Sequence, residues 1–336
     1  MKKPIVGITS GDLNGVGIEI IIEIFSNTAM LNHCIPVIFC SSKVINFYKR
    51  QLNATSFQYV NIRNFEDLNE NQINIFNCWT EDVLLSPGKL TQDGGKYAIR
   101  SLEVATQCLK DEDIDVLVTA PIHKANTQSE AFPFVGHTPY FKSFFQSSEI
   151  LMILFEDDFR VTLMSEHIPI HEVSKNITFK NVLNKLQLSA LTMQKDFGIN
   201  HPKIAVLGLN PHASDEGLIG SEEGEAIVPA IEHFNQNAFA RAFGPYSADA
   251  FFARNYQSKF DLILAMYHDQ GLIPFKSLSN GYGTNYTGGL PFIRTSPDHG
   301  VAFDIVGQNK ADASSFRRAI FEAIDIYRNR LKFEEN

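Results

Sequence analysis

The segment DVLVTAP (115–121) limits what the chain can fold into more than any other stretch, because it is apolar from Val116 to Val118 and stops at a proline. A strand that is apolar on both faces has to be covered on both faces, which is the state of a strand inside a mostly parallel sheet. The same rhythm recurs in PIVGIT (4–9), PVIFC (36–40), ILMILF (150–155), FRVTLMSE (159–166), KIAVLGL (203–209) and DLILAMY (261–267). Between such runs, residues 94–115 place Tyr97, Ala98, Leu102, Ala105, Cys108 and Leu109 on one helical face. Further helices are predicted over 179–197, from near Ser221 onward, and over 314–331. Strands alternating with helices predict a doubly wound α/β fold. The pattern over 53–88 is poor and predicts short strands or loops. At 336 residues, the chain predicts one large α/β unit or two lobes sharing a cleft.

The chain is 44% hydrophobic with a formal net charge of -9. That supplies a core and argues against a general nucleic-acid or anionic-membrane binder, since polyanions favour basic surfaces. A small anion remains open, because a few local cations suffice for it. Cys34, Cys40, Cys78 and Cys108 form no CxxC pair and lie in or near apolar stretches, so buried thiols in a reducing compartment are expected. The N-terminal MKKPIVGITSGD predicts a first strand rather than a signal peptide, and no run is long enough to span a bilayer. A cytoplasmic protein with no nucleic-acid or membrane partner is expected.

Polar clusters follow the predicted strands: SGDLNGVG, TAPIHK, SEHIPIH, LNPHASDEG and YHDQG. In open α/β sheets ligands gather at that edge, so the clusters imply a composite site. Gly11, Gly15 and Gly17 do not make GxGxxG, and Gly94-Gly95-Lys96 does not make a P-loop. The first loop reads either as a tight turn or as amides open to an anion. His167 and His171 are spaced like a zinc-helix pair, but Pro169 between them speaks against a shared helical face. His167, His212 and His268 each follow a β-run. They can form an open catalytic metal site, or be ordinary surface or hydrogen-bonded imidazoles. Asn210, Asp269 and Gln270 beside them either orient those rings or form turns. Arg294, after the apolar LPFI, is expected at a strand end, facing a carboxylate or phosphate or simply solvent. Lys276 and Asn285 lie in the same C-terminal third. His137-Thr138 in VGHT reads as a phosphate contact at a helix start or as a threonine N-cap.

Taken together, GDLNGVGIEI (11–20), LVTAPIHK (117–124), VGHT (135–138), LNPHA (209–213), EGLIGSEE (216–223), GPYSADAFF (244–252), LAMYHDQGLIPFK (264–276) and LPFIRTSPDHG (290–300) resemble the 4-hydroxythreonine-4-phosphate dehydrogenases of the vitamin B6 pathway, in order and over nearly the whole chain. The resemblance implies a two-lobed α/β/α fold similar to isocitrate and isopropylmalate dehydrogenases, with the active site in the cleft between lobes. The lobes are expected at 1–130 with 301–336 and at 131–300. It further implies a homodimer sharing each active site and a divalent metal on His167, His212 and His268, with zinc first and magnesium or cobalt otherwise. Substrate contacts are implied at His137, Thr138, Lys276, Asn285 and Arg294, and catalytic carboxylates at Asp249 and Asp269. NAD is implied without a Rossmann fingerprint, and its contacts are unassigned. The implied reaction oxidises 4-hydroxythreonine 4-phosphate to a 3-oxo acid, which loses carbon dioxide to give 3-amino-2-oxopropyl phosphate. Leu13-Asn14, Ile18, His123 and Ser214-Asp215 depart from the family's usual residues. Dehydrogenases of threonate or erythronate 4-phosphate share the same site residues. A phosphate acyltransferase is the alternative from another class.

Overall fold

In the computed structural model, which describes residues 2–147, 149–237 and 239–335, the strands run in chain order. They are β1 (Ile5–Thr9), β2 (Ile35–Cys40), β3 (Tyr59–Ile62), β4 (Ile73–Asn77), β5 (Val116–Val118), β6 (Leu151–Glu156), β7 (Phe159–Ser165), β8 (Lys203–Leu207), β9 (Arg241–Tyr246), β10 (Leu262–Tyr267), β11 (Thr284–Gly288) and β12 (Ile293–Pro297). The chain divides into two units, Met1–Ser147 with Leu290–Tyr327, and Ser148–Gly289 with Arg328–Asn336. The divisions expected at 130 and 300 therefore shift. Residues 131–147 and 290–300, which include His137, Thr138 and Arg294, belong to the first unit.

In the first unit the strands lie in the order β3-β4-β2-β1-β5-β12, and every neighbouring pair is parallel. Val6, Ile8, Ile38 and Val116–Val118 are sealed from solvent, as a strand covered on both faces requires. The helix Gln92–Lys110 covers part of this sheet, and all six residues expected on its apolar face are buried. Thr91 caps it, its Oγ1 accepting the Gly94 amide at 3.0 Å.

The loop after β1 is packed inward rather than open to an anion. The amides of Asp12, Leu13, Gly15 and Val16 donate to the carbonyls of Pro121, Gly94, Asp12 and Val301, and the Asn14 amide donates to Asp12 Oδ1 at 2.9 Å. Gly11 has φ +65, and a Cβ there would lie 2.5 Å from the Pro121 carbonyl oxygen, so close backbone approach explains this glycine. These bonds bear out the tight-turn reading over residues 12–16.

The second unit is mixed, in the order β11-β6-β7-β10-β8-β9. The β11–β6 and β6–β7 pairs are antiparallel, whereas β7, β10, β8 and β9 pair in parallel. Its core joins Val161, Leu163, Ala205, Leu207, Ile263 and Ala265 to Phe251 and Phe275 from helices. The helix Phe179–Lys195 is capped by Thr178, as its sequence suggests. The one expected from Ser221 begins as a π-helical turn, Glu223–Ile227, before Val228–Asn237 continues.

Candidate active site

The parallel run β7-β10-β8 explains why three distant histidines reach one edge. Registers such as Ile263↔Val161 and Leu262↔Ile204 align the strands, so their C-terminal ends open on the same side of the sheet. His167 follows β7, His268 follows β10, and His212 follows β8 after a short loop. All three are at least partly exposed. The His167 and His268 rings lie 5.7 Å apart, centroid to centroid, on a pocket of about 340 Å³ that Ile168, Ile170 and Asp269 also line. His268 starts the helix His268–Leu278, and its Nδ1 lies 2.7 Å from Asp269 Oδ1.

This pair suits a divalent cation. Imidazoles sharing a tetrahedral ion through nitrogens at about 2.0–2.1 Å have centroids roughly 5–6 Å apart, and a carboxylate on the far nitrogen is the usual way such a ring is oriented. Among the described residues, however, no three His, Cys, Asp or Glu side chains gather closely enough to hold a metal ion. His212 stands on the next strand's loop, where its charge has a small lowering influence on Asp249. Asp249 lies in the first turn of the helix Ala248–Ala253 and accepts the Ser247 hydroxyl at 2.5 Å. That bond, followed by the Ala250 amide, holds its carboxyl below the usual range, so it is ionised.

The His212 loop has a backbone that its sequence does not announce. His212, Ala213, Ser214, Asp215 and Glu216 have φ of 55, 52, 70, 47 and 58, and none is glycine. A left-handed conformation costs an L-residue roughly 1–2 kcal/mol, so neighbouring structure must hold this run. Gln270 ties the flanking segment down, accepting the Met266 amide and donating to the Gly208 carbonyl, both at 2.7 Å. Of the other residues expected to bind substrate here, Lys276 is exposed near the end of the helix His268–Leu278. Asn285 sits in β11 opposite Leu154, and its buried Oδ1 accepts no hydrogen bond.

In the first unit, His137, Thr138 and Arg294 occupy a second polar centre. Gly136 is the N-cap of the helix His137–Phe144, so Thr138 lies inside the helix rather than capping it. The His137 Nε2 is shielded from solvent and has no hydrogen-bond partner. Burial first, and the Arg294 charge second, hold this imidazole well below its usual range, leaving it neutral. Arg294 is not at a strand end. It lies within β12 and is only 3% exposed, with Nε and Nη2 donating to Thr119 Oγ1 at 3.0 and 2.6 Å and its guanidinium over the Phe141 ring at 5.6 Å. Burial lowers its pKa to about 9, which still leaves it cationic at neutral pH. A neutral donor beside a fixed cation can orient an anionic oxygen.

Thr119 and Phe141 were not singled out from the sequence, nor was Asp12. Asp12 is 1% exposed and accepts Asn126 Nδ2 at 2.7 Å, and burial raises its pKa. Only the position of LVTAPIHK after an apolar strand hinted at Thr119. His123, one of the departures, caps Lys124–Thr127 through its Nδ1, 3.2 Å from the Ala125 amide.

Comparison with known proteins shows the family and the fold. The sequence profile of the family described as pyridoxal phosphate biosynthetic protein PdxA matches residues 32–323. The chain is 45% identical over 327 residues to a 4-hydroxythreonine-4-phosphate dehydrogenase of Bacteroides thetaiotaomicron, covering 97% of this chain and 89% of that protein. It is 38% identical over 323 residues to a protein of the same name from Sulfurihydrogenibium sp., covering 96% and 98%. The crystal structure of 4-hydroxythreonine-4-phosphate dehydrogenase from Klebsiella pneumoniae superposes with a TM-score of 0.83 at 28% identity, over 97% of this chain and all of that one.

Proposed function

The chain belongs to the PdxA family of pyridoxal phosphate biosynthetic proteins, and from that premise we propose that it is a metal-dependent dehydrogenase that oxidises 4-hydroxythreonine 4-phosphate with NAD. The observation that carries this reading is the delivery of His167, His268 and His212 by three adjacent parallel strands, with two of the rings 5.7 Å apart. When bound by these histidines, a divalent cation (zinc or cobalt by its imidazole donors, or magnesium) would polarise the substrate alcohol so that it loses its proton as hydride leaves for NAD.

The chain's own residues do the rest. Asp269 fixes the His268 ring through its 2.7 Å contact with Nδ1. Asp249, ionised and bound to Ser247, is the carboxylate available to take the alcohol proton. Lys276 of the second unit and Arg294 of the first are each a cation suited to a phosphate or carboxylate, and neutral His137 in the first unit is suited to donate to an anionic oxygen, with Thr138 next to it on the same helical turn. The unpartnered Oδ1 of Asn285 suits the substrate's ammonium group. The product is a 3-oxo acid. Its carboxylate leaves as carbon dioxide, the bonding electrons pass to the 3-ketone as an enolate, and a proton taken up at the carbon that held the carboxylate gives 3-amino-2-oxopropyl phosphate. A cytoplasmic homodimer sharing each active site belongs to the same reading.

The test is NADH formation, followed by absorbance, with 4-hydroxythreonine 4-phosphate and with threonate 4-phosphate, which carries a hydroxyl in place of the amino group. A higher kcat/KM on the amino acid is expected. Preference for threonate 4-phosphate would reassign the substrate, and no NADH from either would refute the dehydrogenase reading.

A further inference from the structure

The run of left-handed residues from His212 to Glu216 is held at its entry by one buried carboxylate. Glu223, 2% exposed, accepts the Asn210 amide on Oε1 at 2.7 Å and the Asn210 side-chain Nδ2 on Oε2 at 2.8 Å. The same Nδ2 donates to Glu222 Oε2 at 2.8 Å, a bond that holds the Glu222 carboxyl below its usual range. Only Pro211 separates this clamp from His212. An unconstrained chain of L-residues would leave the left-handed region, and His212 would then swing with its own backbone.

We propose that Glu223, through Asn210, is a positioning residue for His212: the clamp keeps the strained turn in register, and cation affinity at the histidines depends on it. The inference rests on the reading that His212 is a metal ligand. It predicts that Glu223→Gln, which replaces an acceptor facing Asn210 Nδ2 with a competing donor, loosens the turn without removing any proposed ligand.

The experiment uses the full chain stripped of metal and titrated with Co²⁺ by calorimetry, alongside the unfolding midpoint of the metal-free protein. Glu223→Gln should bind Co²⁺ about 10- to 100-fold more weakly. Its metal-free midpoint should not fall, and its NADH formation should recover at saturating Co²⁺. Asn210→Ala should behave alike, and it decides the matter if Glu223→Gln does not fold. Unchanged Co²⁺ affinity in Glu223→Gln, with affinity lost in His212→Ala, would overturn the clamp alone. Wild-type affinity in His212→Ala would overturn the ligand reading and the clamp with it. Failure of both clamp variants to fold would make Glu223 a stability element and refute the positioning role.

Discussion

At His137 a ring nitrogen is closed off from water without a partner, next to the guanidinium of Arg294, and burial there decides which protonation state is tolerated. In the unfolded chain this imidazole returns to its ordinary value of 6.5, above the folded one. The unfolded state therefore binds the proton more readily at acid pH. The resulting stability is fully present above pH 6.5 and is lost as pH falls below it toward the folded value. His137→Asn, neutral throughout, is expected to flatten this fall, which urea midpoints at about pH 7.5 and about pH 5.5 would show. Some slope should remain, because burial also depresses His299. An unchanged slope would place the proton elsewhere. His137 and Arg294 were legible as residues because VGHT and LPFIRTSPDHG are distinctive strings. The Thr119 hydroxyl that anchors Arg294 lies 175 positions away, and no local pattern encodes such a pairing.

Propensity and packing pull in opposite directions in the helix Gln92–Lys110. Gly95→Ala should favour the helix by about 1 kcal/mol on propensity alone. A Cβ at Gly95 would lie 2.1 Å from the backbone oxygen of Asn126, however, and backbone cannot move aside as a flexible side chain can. Overpacking of this kind costs about 1–3 kcal/mol, and contact with backbone puts this site at the upper end, so a net loss of about 1–2 kcal/mol in denaturant unfolding is expected. A more stable variant would contradict the packing account. The same contrast separates elements that could be read from those that could not. The β1, β5, β8 and β10 strands are runs of buried apolar residues, and the sequence pattern located them to within a residue or two at most ends. Two strands in the poorly patterned stretch are harder to see, since β3 is half-exposed and β4 buries Asn74, whose Nδ2 donates to Pro36 and Asn69 carbonyls. The helix His268–Leu278 opens without a capping side chain and contains Pro274, so it resembles loop in one dimension. The turn at His212–Glu216 was hidden for the opposite reason. Left-handed backbone is normally signalled by glycine, whereas here none of the five residues is glycine and Asn210 at the entry is bonded to Glu223, thirteen positions away.

At the scale of the whole molecule, the net charge of -9 argues against a general polyanion-binding surface. Among the described residues, no helix is long and apolar enough to cross a membrane. All four cysteines are buried and unpaired, and burial raises the thiol pKa of Cys34, Cys40 and Cys108 to about 12, so none is a ready nucleophile. The proposed reaction accordingly uses imidazoles and carboxylates rather than a thiol. The most direct measurement is NADH formation from 4-hydroxythreonine 4-phosphate by folded, chelator-stripped protein, before and after a divalent cation is restored. The account predicts that turnover is lost on stripping and returns with the cation in the wild type, but does not return in His212→Ala. Undiminished turnover by metal-free, folded protein would contradict it.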